Sequence, residues 1–234
     1  MSVTMDDDVL SAITATRTEV ARLHQYLVQY QLVVWTGGNV SARVPGTDLF
    51  VIKPSGVEYP DLTPENMVLC TLDGARVPGH PGSERAPSSD TASHAYVYRH
   101  MPAVHGVVHT HSDYAASWAA RGEAIPCFLT AQADEFGGEI PVGPLALIGD
   151  EQIGEGIVST LTGHRSPAVL MQNHGVFTIG PNARAAVKAA VMTEDVARTA
   201  HFARQGGTPI PLPQTAIDAL YDRYQHVYGQ PKKD

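Results

Sequence analysis

Two histidines one residue apart, His109 and His111 in GVVHTHS, follow a β-branched run, so on a strand both imidazoles leave the same sheet face. That is the spacing a chelate needs. A third histidine, His174, sits beside Gly175 in QNHGVF within an apolar stretch, where an unpaired buried imidazole is costly unless something uses it. Asp90 in PSSDT, shortly before the HTH strand, offers a carboxylate to a metal or to a proton near one. Three imidazoles, a carboxylate and an open position suit catalytic Zn2+, and Mn2+ or another divalent ion fits the same ligand types. Two other readings start from the same residues. An isolated HxH pair also describes two exposed strand histidines, and HTH with a distant acid matches the 2-His-1-carboxylate set of non-haem iron oxygenases. His105 shares the strand parity, but Gly106 beside it marks a bend, and it is read as an ordinary histidine.

Three further segments are rich in hydroxyls and backbone donors: Thr36–Ser41 (TGGNVS), Lys53–Gly56 (KPSG) and Pro87–Asp90 (PSSD). Ser88 and Ser89 stand where a helix is expected to begin, and free N–H groups with the helix dipole favour an anion there. Lys53 adds a point charge. Any one of these segments also reads as a plain turn, and TGGNVS is neither a Walker loop nor a GxGxxG fingerprint.

The elements that must hold these groups follow from periodicity. Val20, Leu23, Leu27 and Tyr30 recur at helical spacing behind three aspartates, predicting a helix over about 8–30. Strands are expected over 49–53, 67–72, 104–111 and 168–172, with Asn173, His174 and Gly175 interrupting as a functional kink before 176–179. Further helices are expected over 90–100, capped by Ser88 or Ser89 and stopped by Pro102, over 183–204 and over 215–228. The Pro- and Gly-rich stretch 77–87 is the one long loop candidate. Strands and helices mixed without strict βαβ alternation indicate an α/β protein, a sheet covered by helices on both faces.

The 234 residues suit one domain with a sizeable core. A formal charge of −8 argues against nonspecific nucleic-acid binding while leaving room for a small anionic substrate held by a local nest of donors. No apolar run is long enough for a bilayer span. The acidic start MSVTMDDDVL lacks the features of a secretory signal, so the expected location is the cytoplasm. Cys70 and Cys127, both in apolar surroundings, read as packed free thiols.

Taken together, GNVSAR, IKPSGVEY, PSSDT, GVVHTHS, AQADEFGG and QNHGVF, in this order from about Gln31 to Gln230, resemble the class II aldolase family, and most closely its sugar-phosphate epimerase branch. The resemblance implies a three-layer α/β/α fold with a central, mainly antiparallel sheet. It also implies a phosphorylated ketose as substrate and a homotetramer with active sites at subunit interfaces. His109, His111 and His174 match the zinc ligands, and Asp90 the carboxylate beside the metal. Asn39, Lys53, Ser55, Gly56, Ser88 and Ser89 match the phosphate pocket. Asp134, in AQADEFGG, and Tyr228, in the terminal YGQ, match an acid/base pair, the tyrosine coming from a neighbouring subunit. Asp90 stands where the fuculose- and rhamnulose-phosphate aldolases of the family usually carry glutamate. Gln172 stands where the epimerase pattern has a histidine. The alternatives within the family are an aldolase that releases the aldehyde and a noncatalytic adducin-like module, which has no need of the histidines.

Overall fold

The computed structural model describes residues 6–229. In chain order the elements are α1 (Asp7–Gln29), β1 (Asn39–Arg43), β2 (Leu49–Ile52), β3 (Val68–Thr71), α2 (Thr91–His100), β4 (Gly106–Thr110), α3 (Asp113–Arg121), α4 (Thr130–Phe136), β5 (Val142–Gly143), α5 (Gln152–Leu161), β6 (Ala168–Met171), β7 (Gly175–Gly180), α6 (Ala183–Gly206) and α7 (Gln214–His226). The strands form one seven-stranded sheet in the order β3-β2-β1-β4-β7-β6-β5, antiparallel except for the β5–β6 pair.

Strand parity divides the core between the two faces. Val40, Ala42, Val51 and Val108 pack under α1 and α6, and Ala168, Leu170 and Val176 continue that face beneath α3 and α6. Phe50, Ile52, Val107, Val169, Phe177 and Ile179 face the other way, onto α2 and α5. The result is the expected three-layer arrangement.

Three local expectations need correction. The residues 168–179 are not a kinked strand but a hairpin, β6 pairing with β7 through Met171↔Gly175, with Asn173 in the left-handed region (φ 57°) at its tip. Asparagine tolerates that conformation better than most residues. Second, α2 begins at Thr91 with Asp90 as its N-cap, and no side chain caps it. The Asp90 carboxylate is engaged elsewhere, and the amide and hydroxyl of Thr91 donate instead to the Ser88 carbonyl, at 3.0 and 2.6 Å. Third, β1 was not anticipated as a strand, because two of its residues on the α2 face, Asn39 and Ser41, are polar and yet buried. The helices α3, α4 and α5 likewise lie outside the expected elements. In α5, Gly154 and Gly156 weaken the helical signal. Both sit where a neighbour comes close, and a Cβ would lie 2.6 Å from Tyr96 Cβ and 2.7 Å from Met171 Cε, respectively.

Candidate metal centre

The centre lies where β1 begins, β4 ends and the β6–β7 hairpin turns. Antiparallel pairing sets Asn39 opposite His109 and His109 opposite Phe177, so the middle of the sheet brings the three segments to one end. His109 projects to the α2 face, stacked on Phe177 with ring centroids 4.1 Å apart. His111 follows just beyond β4, and His174 comes from the hairpin turn. One ligand nitrogen of each histidine lies within 4.8 Å of the others, and no acidic residue joins the cluster at that range among the described residues. Gly175 makes the convergence possible: a Cβ there would lie 2.6 Å from the Thr110 carbonyl and 2.9 Å from His111 Cδ2.

The donor set fits a divalent cation. His109 Nδ1 lies 2.9 Å from the Val176 carbonyl, which fixes the proton on that nitrogen and turns the Nε2 lone pair toward the other imidazoles. Burial depresses the proton affinity of all three rings, His109 down to about 3, so they stay neutral and able to ligate at ordinary pH. Asp90 is buried. Burial pushes its carboxyl upward, but His109, His94 and the Asn39 amide together outweigh this and keep it below the usual carboxylate range. Its Oδ2 accepts from Asn39 Nδ2 at 2.7 Å, and Asn39 also donates to Ser88 Oγ at 3.0 Å.

The TGGN, KPSG and PSSD segments close around the same space. Ser55 N donates to the Ala86 carbonyl and Ser88 N to the Lys53 carbonyl, each at 2.9 Å, which ties the KPSG and PSSD loops together. Lys53 is buried, which lowers its proton affinity. Its ammonium donates to the Thr36 carbonyl at 3.1 Å and lies 5.4 Å from the centre of the Tyr59 ring. The Tyr59 hydroxyl donates to the Gly37 carbonyl at 2.8 Å and so steadies the TGGN turn. Gly38 in that turn has φ 75° and passes so close to β4 that a Cβ would lie 2.8 Å from the His109 carbonyl.

These groups line one cavity of about 200 Å³: Asn39, Lys53, Ser55, Gly56, Ser88, Ser89, Asp90, His109, His111 and His174 all face it. Ile148, from the exposed loop before α5, also lines it and carried no sequence signal, being one apolar residue among several in PLALIG. Asp134 and Tyr228 do not line it. Asp134 lies in α4 with a buried, unpartnered Oδ1. Tyr228 lines a separate cavity of about 680 Å³, larger than the metal-centre cavity and bounded by Val104, Ile179 and Gly180 at the far end of β4 and β7. At about 3.4 Å per residue, the length of β7 alone separates the two ends by roughly 17 Å. The Gln172 side chain packs over Gly122, outside the metal-centre cavity. Gln230 of the YGQ terminus lies outside the described residues. The two cysteines are buried free thiols, and His105 is exposed, as their surroundings in the sequence implied.

The sequence and the fold are those of a known family. Residues 18–201 match the Class II Aldolase and Adducin N-terminal domain, and the chain belongs to that family. Among curated relatives, it is 41% identical over 189 residues to the L-ribulose-5-phosphate 4-epimerase UlaF of Salmonella paratyphi B, covering 76% of this chain and 80% of that protein. Among solved structures, an L-fuculose 1-phosphate aldolase superposes with a TM-score of 0.79 at 24% identity, over 94% of this chain and 98% of the other. An aldolase II superfamily protein from Pseudomonas syringae gives 0.81 at 18% identity, over 97% and 89%. At such identities these two likenesses speak for the fold alone.

Proposed function

We propose that the protein is a divalent-metal-dependent L-ribulose-5-phosphate 4-epimerase, interconverting L-ribulose 5-phosphate and D-xylulose 5-phosphate by breaking and remaking the C3–C4 bond. The observation that carries this reading is the single cavity in which three neutral imidazoles converge beside the KPSG and PSSD loops. The 41% identity to a curated epimerase supports it. His109, His111 and His174 would hold the ion, which we take to be zinc. When bound, it supplies Lewis-acid polarisation of the ketose carbonyl and the adjacent hydroxyl.

The chain's own groups do the rest. Lys53, Asn39, Ser55, Gly56, Ser88 and Ser89 anchor the phosphate, so that after C3–C4 cleavage the two-carbon aldehyde phosphate turns about a fixed end. Asp90, held ionised next to the histidines, balances charge and accepts a proton. Inversion at C4 needs proton transfer on both faces of the aldehyde, which is the role assigned to Asp134 and Tyr228. Tyr228 stands at the other end of the sheet from its own histidines, which supports its serving the site of a second copy and, with it, a homotetramer with interfacial sites. No helix among the described residues is long and apolar enough to cross a membrane, and we take the enzyme to be cytoplasmic.

The deciding experiment incubates metal-loaded protein with L-ribulose 5-phosphate and separates the products. D-xylulose 5-phosphate is expected. Free glycolaldehyde phosphate as the main product would make the protein an aldolase instead. The absence of both, in protein that also binds no metal, would favour a noncatalytic adducin-like module.

A further inference from the structure

His94 takes part in none of these steps, yet its side chain is fully buried and its Nε2 has no hydrogen-bond partner. It stands in the first turn of α2, four residues after the N-cap Asp90, its amide donating to the Asp90 carbonyl at 3.0 Å. Helical side chains lean toward the N-terminus, which directs the imidazole back toward Asp90, whose Oδ1 is likewise buried without a hydrogen-bond partner. The charges of the two groups act on each other accordingly.

The other ring nitrogen decides where the proton sits. His94 Nδ1 lies 2.7 Å from Ser41 Oγ, which lies 2.7 Å from the Tyr98 hydroxyl, and all three side chains are buried. Were the proton on Nδ1, Nε2 would be a bare buried acceptor on the Asp90 side of the ring, beside a carboxylate whose Oδ1 is a second buried acceptor without a donor. With the proton on Nε2, the donors run one way: Tyr98 O–H to Ser41 Oγ, Ser41 O–H to His94 Nδ1, and His94 Nε2–H toward Asp90. Asn39 holds Asp90 Oδ2 from the strand side, at 2.7 Å. A carboxylate accepts in about four directions, so a contact from the helix side leaves lone pairs for the cavity.

We propose that His94, fixed as its neutral Nε2–H tautomer by Ser41 and Tyr98, is a positioning residue that orients the Asp90 carboxylate toward the histidine cluster. This rests on the reading of Asp90 as a working group of the metal centre, and the test separates the two.

The tautomer is read by 15N-histidine NMR on the full protein, with and without zinc, the His94 signal being assigned by its loss in His94→Phe. The Nε2–H form is expected in wild type, with a shift toward the other tautomer in Asp90→Ala. An Nδ1–H form in wild type overturns the proposal, whatever the protein catalyses. Turnover of L-ribulose 5-phosphate, bound zinc and thermal midpoints are then compared across His94→Phe, His94→Asn and His94→Gln. Only the Gln amide can reproduce the Nε2–H donor. Phe and Asn are expected to lower kcat about 10- to 100-fold, the usual cost of removing a support of a metal site, with KM and zinc content near wild type and with Gln recovering most of the loss. Wild-type kcat in His94→Phe, or equal losses in Gln and Asn that track the thermal midpoint, would overturn the positioning role. If wild type turns over no sugar phosphate while the tautomer is as stated, the functional reading fails and the orientation of Asp90 stands.

Discussion

An imidazole ligates through a nitrogen without a proton, and each of the three site histidines meets that condition because burial makes the imidazolium costly. Removing His109, the only one of the three that is fully buried, should abolish metal retention and activity together, as elemental analysis and turnover of His109→Ala would show. Tyr228→Phe should keep the metal and lose turnover. An unchanged rate would remove the tyrosine from the chemistry. Gly175 makes a sharper test, because it binds nothing and acts only through space. In Gly175→Ala the new methyl meets the Thr110 carbonyl and the His111 ring, and a metal affinity lower by about 10- to 100-fold is expected by competition with a chelating dye.

At the scale of elements, the centre depends on how strand ends and helix starts are pinned. His24 in α1 is fully buried, with Nδ1 2.7 Å from the Val20 carbonyl and Nε2 accepting from Val40 N at 3.0 Å, so a helix side chain fixes the strand residue next to Asn39. Beyond His111, the Glu194 carboxylate from α6 accepts from Tyr114 N at 3.0 Å and Ala115 N at 2.9 Å, closing the start of α3. Glu194→Ala leaves two helix-terminal donors without that partner. It should cost about 1–2 kcal/mol in urea unfolding and weaken metal retention through His111. The unforeseen β1 belongs to the same logic. Hydropathy marks a strand by apolar alternation, but Asn39 and Ser41 spend their inward positions on Asp90, Ser88, His94 and Tyr98, which leaves an apolar signal on one face only.

For the whole molecule, buried neutral histidines couple folding to pH. His24 is held at about 3 and His94 at about 4, chiefly by desolvation, against 6.5 for a free side chain. The unfolded chain therefore binds more protons than the folded one below pH 6.5. Stability that is complete above that pH is lost as pH falls toward 4, at up to about 1.4 kcal/mol per pH unit for each histidine. Urea midpoints of metal-free protein at pH 7, 6 and 5 should decline, and His24→Gln should flatten the slope. Assembly is tested by mixing. If the histidines of one copy work with Tyr228 of another, co-expressed His109→Ala and Tyr228→Phe chains should recover activity that neither has alone.

Much of the candidate metal centre is written locally. The alternation of His109 and His111, the break at His174 and Gly175 within an apolar stretch and the hydroxyl-rich KPSG and PSSD segments each state a chemical capacity through residue type and short spacing. The helices α1, α2, α6 and α7 were legible for the same reason, to within a few residues at their ends. What no local pattern contained was which segments meet. The register that sets Asn39 against His109, the hairpin that returns His174 beside them and the pairing of the Lys53 and Ser88 backbones are all long-range contacts, fixed by the packing of one sheet between two helix layers. The same packing carried Tyr228 to the far end of that sheet, away from the histidines of its own chain.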